Sequence, residues 1–241
     1  MNSKRIENIK SYILFEDEHI VVCRKPAGIA TQSGKISSPD MVSLLKNHLK
    51  KTGAPGEPYL SVIHRLDQPV SGILVFAKTP FAARELNRQL TTQGFGKYYR
   101  ALVTGVPRAT EGTLEQYLVR DARTNTSRVC EKNTPGAKLA RLTYHIVPET
   151  KRLFPADYRP ASFSEPDTRV CELEICLDTG RHHQIRVQLA SMGCPIVGDT
   201  KYNPDAQPRG TFKPLCLCAY KLEFIHPKTK KKLQFTLSEA V

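Results

Sequence analysis

Three short stretches hold most of the side chains able to do chemistry. The first is Ser61 to Gly72, SVIHRLDQPVSG, in which a carboxylate, Asp67, lies between Arg65 and a Pro-containing turn. A carboxylate on such a loop can act as a nucleophile or a general base. The second is Thr179 to Arg186, TGRHHQIR, which begins at a glycine turn and ends on Arg186. A guanidinium can hold a carboxylate through two parallel hydrogen bonds. The third is Gly96 to Ala101, GKYYRA, where Tyr98 and Tyr99 stand between Lys97 and Arg100. Such interleaving supplies a stacking platform beside phosphate contacts. Each stretch taken singly has a bland alternative: Asp67 capping a turn, Tyr99 as a half-buried strand tyrosine, Arg186 as a solvated helix cation.

The elements that must position these stretches are outlined by the apolar pattern. YILFEDEHIVVCRK (12–25) reads as a strand or a hairpin with Glu16-Asp17-Glu18 at the turn, and Pro26-Ala27-Gly28 breaks it. In residues 40–51, Met41, Leu44, Leu45 and Leu49 fall at helical spacing. ILVFA (73–77) is a short buried strand. Thr79 and Pro80 then predict a helix start, with a stop near Gly94. Residues 98–105, 113–119, 140–147 and 169–177 read as strands, and 182–192 as a short helix closed by Gly193. Residues 215–224 and 231–237 form a terminal hairpin around His226-Pro227, and 148–168 an inserted surface loop. Many strands and few helices predict an α+β fold.

Lys and Arg number 36 against 23 Asp and Glu, a net charge of +13. Nucleic acid or an anionic membrane surface would be drawn to that surplus; the bland alternative is a generally basic soluble protein. No apolar run approaches the ~20 residues of a spanning helix. The N-terminus shows no signal-peptide core, and seven cysteines without one fit free thiols in the cytoplasm. No metal site is expected. His182 and His183 are adjacent and cannot share one helix face, and Cys216 and Cys218 lack the usual zinc spacing. The Lys228–Lys232 run reads as a solvated hairpin turn. The helix bearing Arg84 and Arg88, with Lys97 and Arg100 after it, is the better candidate for phosphate contacts.

Taken together and in order, the motifs resemble the RluA-type pseudouridine synthases. The matching stretches are His64–Lys78, Lys97–Gly105, Gly180–Val187 and Gly193–Tyr202, with Phe15–Gly28 similar to that family's opening strands. The resemblance runs from about residue 12 to about residue 237. It implies a mixed, mostly antiparallel sheet flanked by helices and loops. Residues 1–11 are then an N-terminal extension and 12–241 a single catalytic domain, with no room for an S4 RNA-binding domain.

The activity implied is isomerisation of uridine in structured RNA, ribosomal or transfer. The N1–C1′ bond breaks, the uracil turns, and C5 bonds to C1′. Asp67 matches the catalytic aspartate, as nucleophile or as the base that opens a glycal route. Arg186 matches the arginine that pairs with that aspartate, Tyr99 the tyrosine that stacks on the base, and Arg65 a residue that holds the flipped arrangement. No cofactor or metal is needed, RNA is the expected partner, and a monomer is expected. Three positions depart from many relatives: Val70 stands for Thr, and Gln188 and Cys218 each stand for His. Fine substrate preference is therefore not carried over. Two other readings are a non-catalytic RNA-binding protein that has kept the fold, and hydrolysis of the same glycosidic bond.

Overall fold

The wholly apolar run from Ile73 to Ala77 has to be covered on both faces, and with Ser71 and Gly72 before it every residue of the strand is buried. The structure is a computed structural model that describes residues 8–34, 39–53, 56–92, 94–154, 170–203 and 214–238. The first part of the chain contains β1 (Ile13–Glu16), β2 (Ile20–Lys25), α1 (Met41–Lys51), β3 (Ser61–Val62), β4 (Ser71–Ala77) and α2 (Pro80–Thr91). Then come β5 (Gly96–Thr104), β6 (Glu111–Asp121), β7 (Thr126–Cys130), β8 (Lys138–Ile146), β9 (Val170–Leu177) and α3 (Gln184–Ser191). The chain ends in β10 (Leu217–Ile225) and β11 (Lys232–Thr236). Two compact units emerge: 1–97 with 219–241, and 98–218.

In the first unit β4 pairs with β2 from Ile20 opposite Ala77 to Lys25 opposite Gly72. β1 flanks β2, β3 and β10 adjoin β4, and β11 closes the terminal hairpin on β10. The core gathers Ile20, Val22, Ile73, Val75, Leu86 and Phe224. α2 starts where the sequence predicts. Thr79 Oγ1 accepts the Ala82 N–H at 3.2 Å, and Pro80 fills the first helical position, where its missing N–H costs nothing. Asp17 fixes the first turn by accepting the His19 and Ile20 N–H groups, both at 2.8 Å. Its other oxygen lies 2.7 Å from His226 Nε2. His226 Nδ1 accepts from Lys228 and Thr229, so Nε2 is the donor to Asp17. The basic run is partly neutralised within the fold: Lys230 meets Glu85 at 2.8 Å and Lys232 meets Glu223 at 3.1 Å.

Gly72 has a geometric reason. Its φ is +136°, and a Cβ there would lie 2.5 Å from the Ala219 N, O and Cβ atoms. Only glycine lets β4 and β10 approach this closely just after the Asp67 turn.

In the second unit the strands run β5-β9-β8-β6-β7, each neighbour antiparallel. In the first unit β2 is antiparallel to β1 and β4, β3 to β4 and β11 to β10, whereas the isolated Ala30–Asp40 bridge is parallel. The α+β expectation therefore holds. α3 packs Val187 against Leu118 of β6 and Ala140 of β8. Gln188, fully buried, donates Nε2–H to the Leu114 carbonyl at 3.2 Å. That side chain thus anchors α3 to the sheet. Val70 and Cys218 are likewise buried. Burial pushes the Cys23 and Cys171 thiols up to about 12, which makes them inert packing groups. No helix among the described residues is long and apolar enough to cross a membrane. Most of the expected 148–168 loop, residues 155–168, lies outside the described residues.

Candidate active site

Asp67 stands at the head of a turn in the first unit, its carbonyl accepting the Val70 N–H at 3.0 Å. The loop carrying it is zipped to the loop that follows β2. Thr31 Oγ1 donates to the Leu66 carbonyl at 3.0 Å and accepts the Leu66 N–H at 3.1 Å. Gly28 N–H donates to the Gln68 carbonyl at 2.9 Å, and Gln68 Nε2 returns a bond to the Gly28 carbonyl. Under this junction lies Lys25, fully buried. Its ammonium donates to the carbonyls of Ile29 at 2.6 Å, and of Pro26 and Gln68 at 3.1 Å each. Three donors meet three acceptors, which is the full capacity of the group. Burial pushes the Lys25 pKa down to about 7, against the supporting charge of Asp67.

Lys25 was not among the residues singled out by sequence, because a lysine ending an apolar strand reads as surface. The available signal was its place directly before Pro26-Ala27-Gly28, where a chain that turns exposes carbonyls. Lys25→Met removes the donors from three buried carbonyls, each worth about 1–3 kcal/mol when left unpaired, but also removes a buried charge. A net loss of about 2 kcal/mol is expected in urea unfolding at pH 7. The sign with pH follows from the depressed pKa. The cost of burying the charge is full below about 7 and is relieved as pH rises towards the ordinary 10.5. Wild-type stability should gain from that limb and Lys25→Met should not. Equal pH slopes in the two proteins would overturn the assignment.

The neighbouring residues divide by exposure. Arg65 is exposed on the same loop. His64 is held by burial down to about 3, with the Lys97 charge acting the same way, and is neutral. Its Nε2 accepts the Val75 N–H at 3.4 Å and its ring packs edge-on to Phe95. It is a packing residue of this loop.

The second unit holds the other two expected residues. Tyr99 is buried on β5, opposite Ile175 of β9, which in turn faces Tyr144 of β8. Alternation puts Tyr144 and Ala140 on one face of β8. α3 packs on Ala140, so Tyr99 and α3 share a face of this sheet. Arg186 is not a solvated helix cation: it is 5% exposed. Its Nε–H and Nη2–H donate to the two oxygens of Asp199 at 2.8 and 2.7 Å. Asp199, 1% exposed, also accepts the Lys201 and Tyr202 N–H groups at 3.0 and 3.2 Å. Sequence reasoning passed over Asp199 as a functional residue, although it stands in the Gly193–Tyr202 stretch.

The two histidines also differ from expectation. They lie before the helix, not along it, and their rings stack with centroids 3.7 Å apart. His183 takes a left-handed backbone, φ 54°, which turns its ring onto that of its neighbour. Burial and then the Arg186 charge hold His183 down to about 3, so it is neutral.

Residues 19–191, well over half of the chain, match the family described as RNA pseudouridylate synthase. The RNA pseudouridine synthase YhcT of Bacillus subtilis is 33% identical over 220 residues, covering 90% of this chain and 65% of that protein. Ribosomal large subunit pseudouridine synthase D of Nitrosomonas europaea is 32% identical, covering 93% of this chain and 61% of its own. The chain thus spans less than two thirds of the length of these two relatives. The dual-specificity RNA pseudouridine synthase RluA of Pasteurella multocida is 31% identical over 95% of this chain and 93% of its own. Among solved structures, human RNA pseudouridylate synthase domain containing 4 aligns with a TM-score of 0.72 at 22% identity, covering 95% of this chain and 88% of its own, a likeness of fold. An Asp67 loop clamped from below, a buried arginine on α3 and matches of this extent lead to one assignment: the chain belongs to the RNA pseudouridylate synthase family.

Proposed function

We propose that the chain isomerises uridine to pseudouridine in structured RNA, ribosomal or transfer, with Asp67 as the catalytic carboxylate. The observation that carries this reading is the Asp67 loop, pinned by Lys25 and Thr31 in a chain of this family. A group that must meet C1′ within a fraction of an ångström has to sit on a fixed turn. The reaction balances internally. The N1–C1′ bond breaks, a C5–C1′ bond forms, C5 loses a proton and N1 gains one. No electron leaves or enters, so the stoichiometry calls for no redox cofactor.

The remaining roles follow the family match. Tyr99 stacks on the extruded uracil. Arg186 takes the role of the arginine that serves the catalytic carboxylate in the family resemblance. Arg65 supports the flipped nucleotide. The proposal takes residues 12–241 as one catalytic domain, since the resemblance runs along nearly all of it. It also takes the protein to act as a monomer in the cytoplasm, with the surplus of +13 drawing the phosphates.

The test is direct. Wild-type protein should release tritium from RNA labelled at uridine C5, with the chain left intact and no free uracil formed. RNA affinity should fall steeply with salt, whereas the single-turnover rate on bound RNA should not. Free uracil would point to hydrolysis. No release from any total-RNA preparation would sink the proposal.

A further inference from the structure

Arg186 is held by more than Asp199. Its guanidinium carbon lies 5.1 Å from the centre of the Tyr202 ring, within range of a cation–π contact. The same tyrosine ends the turn that Asp199 organises, because the Asp199 carboxylate accepts the Tyr202 N–H. One carboxylate therefore sets both the guanidinium and the ring that lies against it.

The Tyr202 hydroxyl extends the arrangement. It accepts the Ser127 N–H of β7 at 2.8 Å and lies 2.7 Å from His183 Nδ1. A backbone N–H can only donate, so the hydroxyl proton is available to His183. The neutral His183 ring accepts it at Nδ1. His183 is also where the backbone is strained, three residues before Arg186 and directly before α3. A residue in this conformation costs about 1–3 kcal/mol and persists only where its surroundings over-determine it. Here those surroundings are the Tyr202 hydroxyl and the stacked His182, itself 2.9 Å from Ser127 Oγ.

We propose that Tyr202 is a positioning residue for Arg186, pressing its guanidinium into the Asp199 fork and tying it through His183 and Ser127 to α3 and β7. The tie acts on the rate of the chemical step, not on capture of RNA. That part rests on the reading above, in which Arg186 belongs to the catalytic machinery.

Two variants separate ring from hydroxyl in the full-length protein: Tyr202→Phe and Tyr202→Leu. Losing the hydroxyl should lower the single-turnover tritium release about tenfold, with RNA Kd changed by no more than about twofold. The loss should lie wholly in the maximal single-turnover rate at saturating RNA, with the RNA concentration for half-maximal rate unchanged. A merely structural tyrosine would lower thermal stability without a selective loss in that maximal rate. Tyr202→Leu should lose more than Tyr202→Phe. If it fails to fold, Tyr202→Phe decides the matter. A loss confined to RNA affinity, or a wild-type maximal rate in Tyr202→Phe, overturns the proposal.

A readout without RNA keeps this separate from the activity itself. Exchange of the Arg186 Nε–H with water, followed by NMR, should quicken in Tyr202→Phe. If wild-type protein releases no tritium, the functional reading fails, while slow exchange that Tyr202→Phe accelerates still establishes the clamp. Unchanged exchange overturns the clamp whatever the activity shows.

Discussion

Asp67→Asn abolishes tritium release from uridine-labelled RNA, lowering the single-turnover rate by about 10⁴-fold or more, if Asp67 is the catalytic carboxylate. Asparagine keeps the shape of the side chain and loses the charge. It can neither attack C1′ nor take a proton, so either route stops at its first step. RNA binding should persist, because phosphate contacts supply most of the affinity and Asp67 contributes none of them. The substitution also removes the charge that supports Lys25 as an ammonium. The buried lysine then loses its proton more readily, and two donors remain for three carbonyls. A small loss of stability should accompany the loss of activity, and Asp67→Ala should behave in the same way. Retention of more than about 1% of the rate would remove Asp67 from the chemistry and leave the family assignment standing.

How much of this was legible beforehand follows from what each residue needs. The β4 run ILVFA has no polar face, so burial was its only stable fate. Thr79 and Pro80 announce the start of α2 by local chemistry alone. The terminal hairpin around His226 was likewise visible in its alternation. β7 was not. Thr126, Ser127 and Arg128 lack any apolar alternation, and the strand exists because it pairs along β6. Such pairing is a property of the partner strand and leaves little mark on its own five residues.

The site divides along the same line. Asp67, Tyr99 and Arg186 stand out because their motifs are dense in chemistry. Lys25 and Asp199 do not, since their roles come from burial. A lysine is rarely buried in full, and no spacing rule predicts one that lies beneath three carbonyls from two loops. Asp199 lies 13 residues from Arg186 in the chain, beyond the reach of any helical pairing rule. His183 shows the limit most plainly. Adjacent histidines on a regular helix diverge, and only a left-handed residue before the helix allows the two rings to stack.

The second large effect concerns the fold and holds whatever the protein catalyses. In Asp199→Ala the Arg186 guanidinium loses both of its bonds to a buried carboxylate, with side chains 6% and 0% exposed. Removing one partner of a buried ion pair leaves a charge uncompensated, at a cost of about 3–5 kcal/mol. For a chain of this size each kcal/mol moves Tm by about 2–4 °C, so a fall of roughly 6–20 °C is expected. The Lys201 and Tyr202 N–H groups lose their acceptor as well, so the turn from Asp199 to Tyr202 loosens with the pair. Asp199→Asn should cost less, because its remaining oxygen still accepts from those two N–H groups. Arg186→Met should also cost less than Asp199→Ala, since the carboxylate it leaves keeps two backbone donors. Combining Arg186→Met with Asp199→Ala removes both charges and should recover about 2 kcal/mol relative to the sum of the single losses. A cycle with no such coupling, or an Asp199→Ala protein that melts within about 2 °C of wild type, would show that the pair does not hold this part of the fold.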